Sequence, residues 1–231
     1  MNKKGEKQMN KPKLLVYASG SFEGGGSGFR KLALAAQNGS LNAEIVGVVS
    51  NYTDGGVSKH ASELGIPFRY FPKPWTAEEY QKIALESGAE FFALSGWLKL
   101  VSGLDPETTF NSRTVFNIHP GPLPTFGGAG MYGHHVHKAV MEAYKRGEVT
   151  HSAVSMHFVD EEFDRGPKFF DGEVEIEKND DADTLGTRVN QIEHQYQPEI
   201  TNMVINGLIT WDGVNPDSLT VPPGYSIKQN V

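Results

Sequence analysis

The sequence predicts an α/β fold, with a mostly parallel sheet covered by helices on both faces and a mixed strand portion towards the C-terminus. Through about residue 119, short apolar runs alternate with segments of helical character. These runs are apolar throughout instead of alternating with polar residues, which is typical of strands buried on both faces. A chain of 231 residues is also long enough to bury a large core. Ligands of such sheets bind beyond the carboxyl ends of the strands.

The parallel part of the sheet is predicted from five strands and three helices. The strands are expected at 13–19, 43–50, 66–71, 90–96 and 114–119, and the helices at 29–39, 55–65 and 76–87. Gly39 and Gly65 end the first two helices, as glycine commonly does. Thr76 with Glu79 three residues later is a capping pattern that starts the third.

Beyond residue 119 the pattern changes. A helix is predicted at 134–147, two antiparallel or mixed strands at 152–159 and 167–176, and a long helix at 181–208. Pro198 lies inside the last helix and predicts a kink or a break there, because proline has no backbone N–H to donate.

The chain is expected to form one domain over 13–213, with a disordered basic tail at 1–12 and an irregular tail at 214–231. The net charge is −7, but residues 1–13 hold five lysines and one glutamate, so the remainder is more acidic still. An acidic body argues against nucleic-acid binding. No apolar run approaches the length of a membrane helix, and no secretory signal is visible. We therefore expect a cytoplasmic protein, either a monomer or a homodimer, without membrane partners.

Cysteine is absent from the sequence, which excludes disulfides, thiolate metal sites and a cysteine nucleophile. Glycine is abundant instead, with 26 residues, ten of them in two short loops at 20–28 and 121–133. Such clustering indicates that the two loops have a specific chemical role, and it does not indicate a chain that is flexible throughout.

The first glycine loop, GGGSG at 24–28, lies between the first strand and the first helix. Backbone N–H groups at such a position can hold a phosphate, helped by the field of the helix N-terminus. Gly25, Gly26, Ser27 and Gly28 are therefore candidate phosphate-binding residues, the alternative being a simple flexible turn. The loop lacks both the Walker lysine and the GxGxxG spacing, which disfavours nucleoside triphosphates and dinucleotides.

Asn117 and His119 end the fifth predicted strand, two residues apart, so their side chains point to the same side. An amide and an imidazole there could polarise a carbonyl and stabilise an oxyanion, although such a pair is often only structural. Among the acids of DEEFDRGP at 160–167, Asp164 is the best-placed carboxylate to orient a histidine.

Three further histidines, His134, His135 and His137, suggest a metal site at first sight. Glu142 is the only carboxylate nearby at ligand spacing. The favoured interpretation is that these histidines lie on a helix face beside the site of Asn117 and His119. No metal is expected.

Four ordered segments together resemble the folate-dependent formyltransferases. They are the glycine-rich loop after the first strand, NIHPGPLP at 117–124, SMHFVDEEFDRGP at 155–167 and RVNQIEHQYQP at 188–198. The resemblance extends over about residues 13–213 and implies a Rossmann-like formyltransferase fold. It also implies that Asn117, His119 and Asp164 are the catalytic residues.

The same resemblance implies the binding residues for two substrates. On the acceptor side, the GGGSG loop would hold a 5′-phosphate, with Asn190 nearby, Glu193 on the ribose, and Gly96 and Pro120 completing the site. On the folate side, the implied residues are Leu98, Lys99, Leu100, Val101, Val159, Asp160 and Glu161.

The resemblance implies transfer of the formyl group of 10-formyltetrahydrofolate, a co-substrate, to the amine of glycinamide ribonucleotide in purine biosynthesis. Asn117 and a protonated His119 would stabilise the oxyanion, and Asp164 would raise the pKa of His119. The alternatives are another amine acceptor, such as a nucleotide-linked amino sugar, hydrolysis of 10-formyltetrahydrofolate, and non-catalytic binding. The sequence departs from the family at Gly28, commonly asparagine, at Gly121, usually serine, and in a longer 125–135 loop.

Overall fold

The computed structural model describes residues 10–21 and 24–225. The strands are β1 (Lys13–Tyr17), β2 (Glu44–Ser50), β3 (Phe68–Tyr70), β4 (Phe91–Ser95), β5 (Val115–His119), β6 (His151–Phe158) and β7 (Lys168–Glu175). The helices are α1 (Ser27–Asn38), α2 (Gly56–Leu64), α3 (Ala77–Ser87), α4 (His134–Lys145) and α5 (Ala182–Ile205), followed by a 3₁₀ turn at Pro216–Ser218. The expected basic tail at 1–12 lies outside the described residues except for 10–12.

The seven strands form one sheet in the order β3-β2-β1-β4-β5-β6-β7. Strands β1 to β5 pair in parallel, while β6 and β7 pair antiparallel. The predicted class, mostly parallel with a mixed C-terminal portion, is therefore confirmed. Because β1 lies between β2 and β4, the strand order reverses there, and a crevice opens at the carboxyl ends of β1 and β4.

Alternate residues of β1 divide the core between the two faces of the sheet. Leu14 and Val16 belong to a cluster that also contains buried residues of α1, α4 and α5. Leu15 and Tyr17 belong to the opposite cluster, which contains buried residues of α3. These two layers confirm the prediction of helices on both faces and hold the strand ends rigidly.

Helix α5 continues through Pro198 to Ile205, so the expected break does not occur. Buried side chains on both sides of the proline, including Val189 and Ile200, pack into the core. This burial compensates for the missing hydrogen bond. The residues of α5 that border the cleft, among them Asn190, Glu193 and Gln197, all precede Pro198.

The segment after α5 is irregular apart from the 3₁₀ turn and one bridge between Thr210 and Thr220. Trp211 packs against Phe158 with ring centroids 5.8 Å apart, which anchors this segment to the sheet. Within the described residues, no helix is both long and apolar enough to cross a bilayer.

The glycine loop after β1 packs directly on the first turn of α2. A Cβ at Gly56 would lie 2.3 Å from the carbonyl oxygen of Gly25, and one at Gly26 would lie 2.9 Å from a methyl of Val57. Real side chains do not approach backbone so closely. The path of the loop therefore depends on glycine on both sides of this contact.

We predict that Gly56→Ala destabilises the protein by about 1–3 kcal/mol, because its methyl group has no free space at the loop backbone. The matched control is Gly24→Ala, whose Cβ would meet only Ser21 Oγ at 3.9 Å. We expect the control to change the unfolding free energy by less than about 0.5 kcal/mol. Urea unfolding measures both, and equal effects would contradict the close contact.

Candidate functional site

A cleft opens at the carboxyl edge of the sheet and consists of three adjoining cavities. The largest, of about 410 Å³, is bordered by Asn117, His119, Pro120 and Asp164. It shares Gly96, Asn190 and Glu193 with a second cavity of about 180 Å³ at the glycine loop. It shares Trp97, Phe163 and the Asn117–Asp164 pair with a third cavity. Leu94 of β4 and His157 of β6 also border this third cavity.

Asn117, His119 and Asp164 lie together, as the sequence analysis expected. Asn117 Nδ2 donates to Asp164 Oδ1 at 3.3 Å, and His119 Nδ1 lies 3.6 Å from Asp164 Oδ2. Asn117 and His119 come from β5, whereas Asp164 comes from the loop between β6 and β7. Long-range packing of two segments therefore assembles the trio.

The backbone of the loop between β5 and α4 fixes the proton on His119. Its Nε2 lies 2.7 Å from the carbonyl oxygen of Phe126. A carbonyl oxygen only accepts, so Nε2 carries the hydrogen and donates it. In the neutral ring Nδ1 is then the free basic nitrogen, and it faces Asp164.

His157 is a member of the site that the sequence analysis did not identify. It pairs directly across from Asn117 in the antiparallel ladder of β5 and β6. Its Nδ1 donates to the carbonyl of Phe158 at 2.7 Å, so the neutral ring accepts from Asn117 Nδ2 at 3.1 Å. In the sequence, His157 is marked only by its place in the SMHF segment at 155–158. That segment does not indicate which residue the imidazole contacts.

Asp164 is held in a backbone conformation that L residues rarely adopt, with φ of 57°. The N–H of Gly128 donates to its Oδ2 at 2.9 Å. Burial opposes its ionisation, but the neighbouring His157 and His119 rings and the Gly128 N–H outweigh burial and hold the pKa of Asp164 below its usual value. Asp164 is therefore a fixed anion at neutral pH.

The expected effect of Asp164, to raise the pKa of His119, is present but does not decide the protonation state of the free protein. The side chain is almost fully buried, and this burial lowers the pKa of His119 below its usual value of 6.5. Asp164 and the Phe126 carbonyl act in the opposite direction without overcoming burial. The imidazole of the free protein is thus predominantly neutral at neutral pH and able to accept a proton at Nδ1.

The loop that follows His119 is anchored to β6 and β7. The N–H of Leu123 donates to Ser155 Oγ at 3.2 Å, and Lys168 Nζ donates to the carbonyl of Leu123 at 2.9 Å. A Cβ at Gly121 would lie 2.4 Å from a methyl of Val136. This contact gives a packing reason for glycine at the position where the resembling family usually has serine.

The glycine loop presents an uncapped helix N-terminus to the second cavity. Gly26 precedes α1 with φ of 81° and has no side chain to cap the helix, so the first N–H groups are available to a ligand. Gly25, Gly26, Ser27 and Gly28 all border this cavity, together with Gly96 and Asn190. The expected acceptor-side residues thus meet there, except Pro120, which borders the largest cavity.

Glu193 lies on α5 between the largest and the second cavity. Burial raises the pKa of Glu193 from 4.5 to about 7, against the effect of a hydrogen bond from Asn190 Nδ2 at 3.3 Å. A carboxyl group with this pKa exists in both forms near neutral pH. Such perturbation in a cleft is typical of functional residues.

The expected folate-side residues divide between cavities. Lys99, Leu100, Val101, Val159 and Asp160 border the third cavity, and Leu98 borders the largest. Glu161 instead borders a separate cavity beside Arg113, which among the folate-side residues it shares with Asp160 alone. Its exposed neighbour Phe163, which was not predicted, lies at the junction of the largest and third cavities.

The histidines of α4 do not gather as metal ligands. His134 lies 3.1 Å from Asp183, and His137 is buried beside Gly186 at the edge of the largest cavity. Among the described residues, no group of three or more histidine, cysteine, aspartate or glutamate side chains could hold a metal ion.

Comparisons with known proteins agree with this geometry. The family described as "Formyl transferase" matches residues 13–201. Two chloroplastic phosphoribosylglycinamide formyltransferases, of Arabidopsis thaliana and Vigna unguiculata, are 36% and 35% identical over 89% of this chain. The alignments cover 72% and 65% of those two proteins. The structure of glycinamide ribonucleotide transformylase 1 of Symbiobacterium toebii has a TM-score of 0.77 at 22% identity over 93% of this chain and 96% of its own, which shows a shared fold.

The raised pKa of Glu193 predicts a pH-dependent stability. Between about pH 4.5 and pH 7 the folded protein keeps a proton that the unfolded chain has lost, so stability falls as pH rises through that range. In Glu193→Gln this contribution disappears. Relative to the unmodified protein, the variant should gain at most about 3 kcal/mol between pH 5 and pH 8.

Urea unfolding at the two pH values measures this difference. The control is Glu199→Gln, at an exposed position of the same helix. If both variants show the same pH dependence of unfolding free energy, Glu193 does not have the raised pKa.

Proposed function

The chain belongs to the formyl transferase family, and we propose that it transfers the formyl group of 10-formyltetrahydrofolate to the amine of glycinamide ribonucleotide. The products are formylglycinamide ribonucleotide and tetrahydrofolate, in de novo purine biosynthesis. The observation that carries the proposal is the meeting of Asn117, His119 and Asp164 in one cleft, between the helix N-terminus at the glycine loop and the apolar cavity of β4 and β6.

The second cavity suits the acceptor. The N–H groups at the start of α1 would hold the 5′-phosphate, as helix N-termini do for anions. Glu193, between this cavity and the catalytic trio, would receive the ribose hydroxyls, with Asn190 hydrogen-bonded to it. This arrangement would direct the amine of the acceptor towards His119.

The third cavity, of about 40 Å³, and the adjoining part of the largest cavity together suit the folate. Leu100, Val101 and Val159 offer apolar surface for the pterin, while Asp160 and the backbone near it offer polar contacts for its edge. Lys99 would contribute a positive charge on this otherwise acidic protein. The formyl group would then lie at the junction with the largest cavity, beside Asn117 and Asp164.

A neutral His119 in the free protein suits a residue that first acts as a general base and then, once protonated, as a general acid. The amine attacks the formyl carbon, a C–N bond forms, and the carbonyl electrons move to oxygen. His119 Nδ1 accepts the proton released by the amine, and Asp164 at 3.6 Å stabilises the resulting imidazolium. The proton then passes to the folate nitrogen as the C–N bond to it breaks. The imidazolium and Asn117 would also stabilise the oxyanion.

Asn117 must exchange one of its hydrogen-bond partners to take part in the reaction. In the substrate-free protein its two N–H groups donate to His157 and to Asp164. Stabilising an oxyanion therefore requires one of these donors to turn to the substrate. His157 Nε2 can retain the other, since its own ring is fixed by the Phe158 carbonyl.

We propose a cytoplasmic location and a monomer or homodimer, as expected in the sequence analysis. The plant relatives are named as chloroplastic proteins, so direct localisation of this chain is the relevant test. The domain limits at 13 and 213 also stay predictions.

The proposed function is tested by mixing the protein with 10-formyltetrahydrofolate and following tetrahydrofolate formation, with and without glycinamide ribonucleotide. We expect turnover only with the acceptor. Turnover without it would favour a hydrolase. Activity only with a nucleotide-linked amino sugar would replace the proposed acceptor.

We predict that His119→Ala and Asp164→Asn each lower the transfer rate about 10²-fold or more, because the proton acceptor or its counter-charge is lost. Folate binding, followed by fluorescence titration, should persist in both variants. His151→Ala, at the far end of β6 from His157, is the control and should retain its rate. A retained rate in His119→Ala would refute the role of His119.

A further inference from the structure

Gln197 of α5 is a buried polar residue at the floor of the second cavity. Its side chain is 2% exposed, and Ser95 at the end of β4 is 7% exposed. Ser95 Oγ donates to Gln197 Oε1 at 3.3 Å, and both residues border the cavity beside the glycine loop. Burial of an amide costs free energy unless its polar groups form hydrogen bonds. The NH₂ group of Gln197, which does not bond to Ser95, therefore requires a hydrogen-bond partner.

The pair occupies the space that a side chain at position 28 would need. A Cβ on Gly28 would lie 2.2 Å from Ser95 Oγ and 2.9 Å from Gln197 Oε1. Gly28 therefore contributes only its backbone N–H to the cavity. Side-chain donors at this point must come from β4 and α5.

The charge of the cavity makes neutral donors important. No lysine or arginine is among the described residues that border it, and Glu193 brings a carboxyl group. An anion there must be held by helix N–H groups, hydroxyls, amides and imidazole. His194 also borders the cavity, and its buried Nε2 has no hydrogen-bond partner within the described part of the chain.

We propose that Gln197 is a specificity-determining residue whose Nε2 donates a hydrogen bond to a phosphate oxygen of the acceptor. This inference rests on the proposed function, since it concerns the phosphate monoester of that substrate. The Ser95 hydroxyl can donate or accept, so it supports the amide in either orientation. A bound anion selects the orientation that turns the NH₂ group towards it. Ser95 is then a positioning residue that acts through Gln197.

Two variants test the donor separately from the shape of the side chain. Gln197→Leu removes the amide, and Gln197→Glu keeps the shape but replaces the NH₂ group by a carboxylate oxygen. The control is Gln195→Leu, at an exposed position of the same helix. Calorimetric titration with inorganic phosphate and with glycinamide ribonucleotide, both without folate, measures binding independently of catalysis.

We expect Gln197→Leu to weaken binding of both ligands about 10- to 100-fold, the usual range for a hydrogen bond to a charged group. Gln197→Glu should weaken it further through repulsion between the two anions. In steady-state assays the KM for glycinamide ribonucleotide should rise, while kcat and the KM for the folate stay close to those of the unmodified protein. Gln195→Leu should behave as the unmodified protein does.

Wild-type affinity in a folded Gln197→Leu or Gln197→Glu protein overturns the inference. If Gln197→Leu does not fold, as judged by thermal unfolding, the isosteric Gln197→Glu decides. An unmodified protein that binds the acceptor without formylating it would refute the proposed function and leave this inference intact. Normal formyl transfer with an unchanged acceptor KM in the variants would refute this inference alone.

Discussion

The carboxylate of Asp164 is the point on which the arrangement of the cleft depends. It contacts Asn117 and His119 from β5, the His157 ring from β6, and the N–H of Gly128 from the loop before α4. These partners come from three segments, β5, the loop that follows it, and β6. The Asn117 amide and the Gly128 N–H donate to the carboxylate, and the lowered pKa of Asp164 keeps it ionised despite its burial.

The change of strand direction in the sheet makes this contact possible. Parallel strands β1, β4 and β5 end at the same edge, where the glycine loop, Gly96 and His119 meet. Antiparallel β6 then begins its pairing opposite His119 and runs past Asn117. The β6–β7 connection, which carries Asp164, consequently leaves the sheet on the side away from the glycine loop. The cavity at the glycine loop and the third cavity accordingly have no bordering residue in common among those that the structure describes.

Local pattern was sufficient for the strands, for the shared direction of Asn117 and His119, and for the glycine loop as a helix N-terminus. It was insufficient where a role depends on a partner distant in the chain. His157 and Gln197 gain their places through strand register and helix packing, which no spacing encodes. Pro198 does not break α5, because burial on both sides of it outweighs one missing hydrogen bond. Glu161 borders a different cavity from Leu100 and Val101, because neighbouring loop residues can face different cavities.

The contacts from the loop before α4 are made by its main chain, through the carbonyl of Phe126 and the N–H of Gly128. One contact sets the tautomer of the imidazole and the other holds the carboxylate, so a single displacement of this loop would release both. Both hydrogen bonds use main-chain atoms and not the side chains at positions 126 and 128. Gly128 has a φ of 100°, which favours glycine, and a Cβ at Gly121 would lie 2.4 Å from Val136, so the path of the loop depends on glycine at both positions. Alanine at Gly128 would therefore disturb the contacts to His119 and to Asp164 together without removing a side chain that touches either.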